Sequence, residues 1–310
     1  MSELVQIGGA RGGGGVLRGS AERRPAWLRV KIARSESFRD VGKLIDGLSL
    51  HTVCEEARCP NIWECWGEHR TATFMIGGDV CTRACRYCSV RSGRPTAAPD
   101  PAEPNHVAAA VAKLQLAHAV ITSVDRDDLS DFGAAHWAAT VAAVRAGNPD
   151  CRIELLIPDF MGDTEALQLV LEARPDVVGH NTETVPRLFP KMRSKGIYAR
   201  ALEVLRRIDA YRRFHGIAMT SKSGLMVGLG ERIEEILAVM DDLRSVSCDV
   251  LTLGQYLNPT RKHAPVDRFY TPDEFTFLRD EGLKRGFRHV ESGPLVRSSY
   301  HAHQHVPGAI

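Results

Sequence analysis

The chain has 310 residues, 44% hydrophobic and 25% charged, as is ordinary for a soluble globular protein. Its formal net charge of +2 is too small to predict a nucleic-acid partner. No apolar run approaches the roughly 18–20 residues of a membrane span, and the N-terminus lacks the apolar core of a secretory signal. We therefore expect a cytoplasmic protein with a sizeable core and no membrane contact.

The N-terminal residues differ in composition from the rest of the chain. Residues 1–21 contain a glycine run and few apolar side chains, so we expect a disordered tail. Residues 23–31 are basic and include Trp27. This basic strap either packs Trp27 on the body of the protein or offers a docking surface to an acidic partner.

Six of the eight cysteines form two triplets of different spacing within residues 54–88. Cys54, Cys59 and Cys65 read C-x4-C-x5-C, and Cys81, Cys85 and Cys88 read C-x3-C-x2-C. In a reducing compartment clustered thiols bind metal more often than they form disulfides. Cys151 and Cys248 stand alone and are expected to be small buried side chains.

The downstream triplet can hold three irons of a 4Fe–4S cluster and leave the fourth iron open to a small molecule. It follows the apolar run ATFMIG, so we expect it in a loop at the C-terminal end of a strand. Arg83 and Arg86 are expected to add positive charge beside an anionic cluster. A zinc knuckle is the alternative, but zinc usually takes two ligand pairs, and only one C-x2-C pair is present.

The upstream triplet indicates a second cluster that also lacks one cysteine. A structural zinc site or an incidental cysteine-rich loop is the alternative. Two incomplete clusters in one chain favour iron–sulfur chemistry on a substrate over simple electron transfer.

From residue 71 onward, short apolar runs alternate with segments of helical periodicity. The strand-like runs are ATFMIG, HAVITSV, IELLIPD, VVGHN, SGLMVGL and VLTLGQYL. Six β–α units with nearly continuous apolar strands predict a parallel sheet covered by helices, which can curl into a partial barrel. The expected organisation is an α/β fold with an N-terminal extension over 22–70, a partial (β/α)6 TIM-type barrel over 71–288 and a C-terminal segment over 289–310.

The downstream triplet, with Tyr87 before its last cysteine, resembles the signature of radical S-adenosylmethionine enzymes. In that superfamily the open iron binds S-adenosylmethionine. Cleavage of the sulfonium bond gives a 5′-deoxyadenosyl radical, which abstracts a hydrogen atom. The superfamily fold, a partial (β/α)6 barrel, agrees with the six units above.

Most of the chain, from about Trp27 onward, resembles the lipoyl synthase family. The shared motifs are HTVCEEARCPNIWECW, CTRACRYC, TSVDRDDL, LLIPDF, HNTETVPRL, SKSGLMVGLGE, TLGQYLNPTR and GPLVRSSYHA. In that family the RSSY motif supplies a serine ligand to the auxiliary cluster. The resemblance thus implies that Ser299 completes the site of Cys54, Cys59 and Cys65, with the C-terminal segment closing it.

The implied reaction inserts two sulfur atoms, at carbons 6 and 8 of an octanoyl chain on a lysine of a carrier domain. The auxiliary cluster is sacrificed as the sulfur source. Because acid–base side chains cannot break an unactivated C–H bond, we expect no catalytic His or Glu. The implied partners are an octanoylated lipoyl carrier domain (glycine-cleavage H-protein or E2-subunit type), a low-potential electron donor (ferredoxin or flavodoxin type) and an iron–sulfur carrier.

Five residues are candidates for binding S-adenosylmethionine: Tyr87, Ser123, Glu154, Asn181 and Lys222. Most of them lie at strand ends, where functional residues gather in such sheets, and Glu154 is a polar residue in an apolar run that needs a partner. Two other functions stay open, a different radical sulfur-inserting enzyme (biotin synthase or methylthiotransferase type) and a non-catalytic iron–sulfur carrier. The upstream triplet paired with RSSY favours the lipoyl synthase interpretation.

Overall fold

The computed structural model describes residues 4–5, 24–31, 35–69, 71–300 and 302. In these ranges the strands are β1 (Leu4–Val5), β2 (Val30–Lys31), β3 (His51–Thr52), β4 (Thr73–Ile76), β5 (Val80–Cys81), β6 (Arg91–Ser92), β7 (His118–Ser123), β8 (Arg152–Leu156), β9 (Val177–Gly179), β10 (Thr220–Val227), β11 (Val250–Gln255) and β12 (His289–Gly293). The α-helices are α1 (Glu36–Gly47), α2 (Val53–Glu56), α3 (Ile62–Gly67), α4 (Glu103–Leu114), α5 (Ala134–Gly147), α6 (Thr164–Glu172), α7 (Phe189–Met192), α8 (Tyr198–His215), α9 (Ile233–Ser245) and α10 (Pro272–Lys284).

The central sheet has eight strands in the order β12-β11-β10-β9-β8-β7-β4-β3. All neighbouring strands pair in parallel except the edge strand β3, which is antiparallel to β4. No pairing closes this sheet on itself within the described residues, so the barrel is partial. The predicted α/β partial barrel is confirmed.

Strand β12 is a parallel strand beyond the six predicted units. Its sequence, HVESG, has a single buried apolar residue, Val290, and lacks the continuous apolar run by which the other strands were recognised. It pairs with β11 in register and packs against α10, so the barrel continues past residue 288.

Local sequence signals explain where the helices begin. The side chain of Asp163 accepts a hydrogen bond from the Ala166 N–H at the start of α6. At α10, Thr271 and Glu274 form a capping box, and Pro272 occupies the first turn. The apolar faces of the helices that follow pack onto the sheet, and Phe275 and Leu278 of α10 are buried in the core.

The N-terminal extension has its own aromatic cluster. Phe38 on α1 stacks on Trp63 of α3 with ring centroids 4.6 Å apart, and it also contacts Trp66. Strand β1 pairs with β2 in antiparallel register, Leu4 with Lys31 and Val5 with Val30. The other residues of 1–21 lie outside the described ranges, and the disorder of the tail stays a prediction.

Two further observations concern the whole described chain. Cys151 and Cys248 are buried and unpaired, as the sequence predicted. None of the described helices combines the length and the apolar character needed to cross a bilayer.

We predict that Trp137→Ala lowers the free energy of unfolding by about 3–5 kcal/mol, because it removes the largest buried side chain of α5 and leaves a cavity. Phe214→Ala is the matched control. Phe214 is 86% exposed, so its loss should change stability by no more than about 0.5 kcal/mol. Denaturant unfolding of both metal-free variants measures the difference, and equal losses would contradict this account of the core.

Candidate functional site

A cavity of about 1660 Å³ opens at the C-terminal ends of the barrel strands. Its wall includes Ser123 at the end of β7, Leu156 at the end of β8 and Gln255 at the end of β11. The loop after β11, residues 256–269, supplies much of one side. The cavity therefore lies where a parallel α/β sheet is expected to bind its ligand.

The downstream cysteine triplet lies on the cavity wall. Cys81, Cys85 and Cys88 all line the cavity, in the loop that follows β4. The loop is held by backbone hydrogen bonds from Arg86 N–H to the Met192 carbonyl and from Ala264 N–H to the Arg86 carbonyl. The ring of His263 is hydrogen-bonded to the Cys88 carbonyl, with Nε2 2.9 Å from the oxygen. The loop is thus fixed from two sides of the barrel.

The thiols of this triplet are held neutral until they bind metal. Burial raises the pKa of Cys81 to about 12, helped by the charge of Asp125, and burial raises the pKa of Cys88 to about 11. Backbone N–H groups of Arg83 and Asp125 point at the Cys81 sulfur from 3.5 and 3.3 Å and favour its thiolate. Such thiols lose their protons readily when they bind the iron ions of an iron–sulfur cluster.

Arg83 does not add net positive charge beside the triplet, contrary to the sequence expectation. Its guanidinium is almost completely buried and forms ion pairs with Asp125, Asp127 and Asp159. Burial opposes ionisation of Asp159, but Arg83 outweighs burial and lowers the pKa of this carboxyl to about 2. Arg83 therefore ties the cysteine loop to the ends of neighbouring strands.

The upstream triplet is gathered by α2 and α3. The Thr52 side chain caps α2, which carries Cys54, and Cys65 lies within α3. Burial raises the pKa of Cys54 to about 12, and the nearby Cys59 raises it further. Burial also raises the pKa of Cys65, which lies near both other cysteines of its triplet. The three sulfurs are thus close enough to interact.

A buried donor beside the cysteines also points to this site. The indole N–H of Trp66 is buried and directed at the Cys54 sulfur, where it favours the thiolate. A buried N–H of this kind suits the thiolates and sulfides of a cluster. No three His, Cys or carboxylate side chains in the described ranges are arranged to share one metal ion. Cluster cysteines, in contrast, bind different irons and need not converge on one point.

Residues 295–300 form a C-terminal clasp that reaches the N-terminal extension. The side-chain amide of Asn61 donates to the Leu295 carbonyl at 2.7 Å, and the Tyr300 hydroxyl donates to Glu64 at 3.1 Å. Gly254 on β11 makes room for this segment, because a Cβ there would overlap the Val296 carbonyl. The clasp therefore lies between the barrel and the loop of the upstream triplet.

Within the C-terminal clasp, Ser299 lies on the side of Cys54. Its Oγ accepts a hydrogen bond from Thr73 Oγ1 at 2.8 Å, and the backbone N–H of Thr73 lies at the Cys54 sulfur. The neighbouring Ser298 lines the cavity, and its carbonyl accepts from Lys222 Nζ at 2.6 Å. The structure thus brings Ser299 and the upstream triplet into one neighbourhood.

The five candidate S-adenosylmethionine contacts divide into two groups. Tyr87, Ser123 and Asn181 line the cavity, and the Ser123 hydroxyl has no partner among the described residues. Glu154 and Lys222 are absent from the cavity wall and form a buried ion pair with each other at 2.6 Å. The sequence recognised that Glu154 needed a partner but did not identify Lys222 as that partner.

Three charged residues at the cavity were not among the candidate site residues. Arg193 and Glu183 line the cavity beside Tyr87, and each affects the ionisation of the other. Burial raises the pKa of Glu183, and Arg193 offsets part of that rise. Arg297 lines the cavity beside Cys59, where its charge favours the thiolate. Glu183 lies in the HNTETVPRL motif and Arg297 begins RSSY, so the family motifs were a signal for these two, whereas Arg193 lies outside the quoted motifs.

Comparison with known proteins gives matches along the chain. Residues 75–243 match the model of the radical SAM superfamily, and residues 14–59 match that of the N-terminal domain of lipoyl synthase. Lipoyl synthase from Phocaeicola vulgatus is 52% identical over 284 residues, which cover 92% of this chain and 97% of the relative. Lipoyl synthase from Rubrobacter xylanophilus is 54% identical over 286 residues, covering 92% and 87%.

Solved structures agree in fold. SuiB of Streptococcus suis, crystallised with the precursor peptide SuiA, superposes with a TM-score of 0.54 at 9% identity over 75% of this chain and 52% of its own. Methylornithine synthase (PylB) gives a TM-score of 0.50 at 13% identity over 84% and 83%. Sequence identity over nearly the whole length, the two family models and the shared barrel agree, and the chain belongs to the lipoyl synthase family of the radical SAM superfamily.

Proposed function

We propose that this protein inserts sulfur at carbons 6 and 8 of an octanoyl chain borne on a lysine of a lipoyl carrier domain. The observation that carries the proposal is that one cavity is lined by the downstream cysteines, by residues adjacent to Cys54 and Cys59, and by the C-terminal clasp. When bound, the cluster of the downstream triplet and S-adenosylmethionine supply a radical for hydrogen abstraction, and the auxiliary cluster supplies sulfur.

In this proposal three groups of side chains each hold a different cofactor. Cys81, Cys85 and Cys88 hold the radical cluster; Cys54, Cys59, Cys65 and Ser299 hold the auxiliary cluster; Tyr87, Ser123 and Asn181 hold S-adenosylmethionine. The support is the position of the downstream cysteines on the cavity wall, and that of residues 57, 58 and 60, flanking Cys59, on the same wall. A substrate in the cavity would then meet both sites.

The cavity wall suits an acyl chain. Leu225, Met226, Val266 and Phe269 contribute apolar surface to it. Each methylene transferred from water to such a surface contributes about 0.8 kcal/mol to binding. The wall can therefore orient the octanoyl chain and exclude water. Hydrogen abstraction and C–S bond formation themselves need no acid–base side chain.

The carrier domain is proposed to dock at the basic strap. Arg24 is half-buried and lines the cavity, and Trp27, which is 41% exposed, and the exposed Arg29 lie on the same strap. Cations on such a strap attract an acidic partner and orient it. The proposal also includes a ferredoxin- or flavodoxin-type electron donor, an iron–sulfur carrier and a cytoplasmic location. The location is proposed because the cysteines must stay reduced to hold their clusters.

The two clusters should be separable by mutation. Changing Cys81, Cys85 and Cys88 to Ala should abolish cleavage of S-adenosylmethionine, since the open iron is lost. Changing Cys54, Cys59 and Cys65 to Ala should leave cleavage but stop sulfur transfer. Iron should fall from about eight per chain to about four in either triple variant. A wild-type protein that holds one cluster after full anaerobic reconstitution would refute the assignment.

Ser299→Ala should keep the fold and the formation of 5′-deoxyadenosine but lose most formation of the lipoyl product. The reason is that this hydroxyl, placed by Thr73 on the side of Cys54, is the proposed fourth ligand. Ser298→Ala is the matched control, because the hydrogen bond recorded at Ser298 is made by its backbone carbonyl. Product and 5′-deoxyadenosine are quantified together; a severe defect in the control with a normal Ser299→Ala enzyme would reverse the assignment.

Arg29→Gln should raise KM for an octanoylated carrier domain about two- to fivefold at low ionic strength, since Arg29 is exposed on the basic strap. The difference should shrink as salt screens the charge. Arg279→Gln, on α10, changes an exposed arginine that pairs with Asp280 and serves as the control. Steady-state kinetics at two salt concentrations test this. Free octanoate turning over as fast as the carrier domain would argue against a protein-bound substrate.

A further inference from the structure

Three ionisable side chains are buried together in the barrel, away from the cavity wall. They are His118 at the start of β7, Glu154 in β8 and Lys222 in β10, and each is at most 9% exposed. Lys222 Nζ donates to Glu154 Oε1 at 2.6 Å, and His118 Nε2 lies 3.0 Å from Glu154 Oε2. Both carboxylate oxygens of Glu154 are thus occupied by protein groups. We refer to these three residues as the buried triad.

A hydrogen bond connects the buried triad to the C-terminal clasp. Lys222 Nζ also donates to the carbonyl oxygen of Ser298 at 2.6 Å. The next residue is Ser299, whose hydroxyl accepts from Thr73. The ammonium therefore fixes the peptide group immediately before the serine that the proposed function makes a cluster ligand. A charge-assisted hydrogen bond of this kind is stronger than a neutral one.

Lys222 and Glu154 meet across one intervening strand. Lys222 on β10 pairs in register with Gly179 on β9, whereas Glu154 on β8 pairs with Val177, two residues before that glycine. The two side chains are 68 positions apart in the sequence, so their contact depends on the register of the assembled sheet.

The energetics argue for a purpose beyond stability. Transferring an ammonium and a carboxylate out of water costs several kcal/mol per ion, and apolar side chains of similar volume would often stabilise the barrel as well or better. Burial alone would raise the pKa of Glu154, but Lys222 and His118 outweigh it and hold the value at about 2. The Glu154 carboxylate therefore stays ionised, and its contact with Lys222 Nζ fixes a donor that is aimed at the Ser298 carbonyl.

We propose that His118, Glu154 and Lys222 are positioning residues that fix the Ser298 carbonyl and so hold Ser299 beside the upstream cysteine triplet. Glu154 and His118 orient the lysine, and the lysine holds the clasp. This inference rests on the proposed function only for the use made of Ser299. It gives Glu154 and Lys222 this role in place of the contact with S-adenosylmethionine expected from the sequence.

The test uses a double variant. Lys222→Met alone would leave a buried carboxylate without its counter-ion, so Lys222→Met with Glu154→Gln removes both charges together and keeps the shape of each side chain. The matched control makes the same two changes at an exposed ion pair on α10, Lys284→Met with Glu281→Gln. Lys222→Arg, which keeps a cationic donor, is the rescue variant.

The first readout is independent of clusters and activity. In the metal-free full-length protein, the clasp amide of Val296 donates to the carbonyl of Gly293 at the end of β12, and that of Tyr300 donates to Arg297. Hydrogen exchange at these two amides should become about tenfold faster in the double variant, because the clasp loses its charged anchor. Amides of α5 should not change, and the control pair should leave every one of these rates unaltered.

The second readout examines the loaded protein. With Cys81, Cys85 and Cys88 changed to Ala, the reduced auxiliary cluster alone gives an electron paramagnetic resonance spectrum, which the double variant should alter and Lys222→Arg should restore. With both clusters present, 5′-deoxyadenosine should still form, and the lipoyl product made per 5′-deoxyadenosine should fall several-fold. This ratio separates positioning from a general loss of activity.

Two outcomes would overturn the inference. One is unchanged amide exchange and an unchanged spectrum in the double variant. The other is weakened binding of S-adenosylmethionine with the clasp amides still protected, which would return Glu154 and Lys222 to the cofactor. Failure of the proposed function is distinguishable from both outcomes. The wild-type protein would then make no lipoyl product, but amide exchange in the clasp would still be faster in the double variant than in the wild type.

Discussion

Residues 295–300 are held in place from three directions, and the architecture around the cavity depends on that arrangement. Asn61 and Glu64 bind them from the N-terminal extension, Thr73 from the edge of the parallel strands, and Lys222 from inside the barrel. A partial barrel leaves one side without a pairing strand, and this segment connects that side to the extension. The C-terminal clasp and the N-terminal extension therefore stabilise each other's position.

The chemistry of the cysteines follows from the same enclosure. Burial raises the pKa of every thiol in both triplets, so the metal-free protein holds neutral thiols in apolar surroundings. Loading iron must then release protons, and the free energy of cluster binding has to exceed that cost. Backbone N–H groups at Cys81 and the cation of Arg297 at Cys59 reduce the cost at one sulfur of each triplet.

The sequence predicted those features that repeat or that have diagnostic spacing. The six apolar runs predicted the parallel sheet, because strands buried on both faces require continuous apolar side chains. The spacing of the cysteines predicted the clusters. Strand β12 was not predicted, because its sequence, HVESG, has no continuous apolar run. The expectation that Arg83 adds net positive charge was wrong, because its ion-pair partner Asp159 lies 76 residues away in the sequence and no local pattern identifies it.

The contacts that organise the C-terminal clasp could not have been predicted from sequence for a different reason. The acceptors at Leu295 and Ser298 are backbone carbonyls, which every residue possesses. The register that places Lys222 opposite Gly179 is a property of the assembled sheet. The family resemblance implied a role for Ser299, whereas the hydrogen bonds that fix the neighbouring Ser298 could be identified only in the folded structure.

The distance along the chain between Thr73 and Ser299 has a consequence for biosynthesis. These two residues are 226 positions apart, and Ser299 lies near the end of the chain. At roughly 5–20 residues per second, a ribosome needs about 11–45 s to travel between them. Throughout that interval the upstream cysteines exist without the segment that covers them. The upstream thiols of the nascent chain therefore gain this cover only after residues 295–300 have been made.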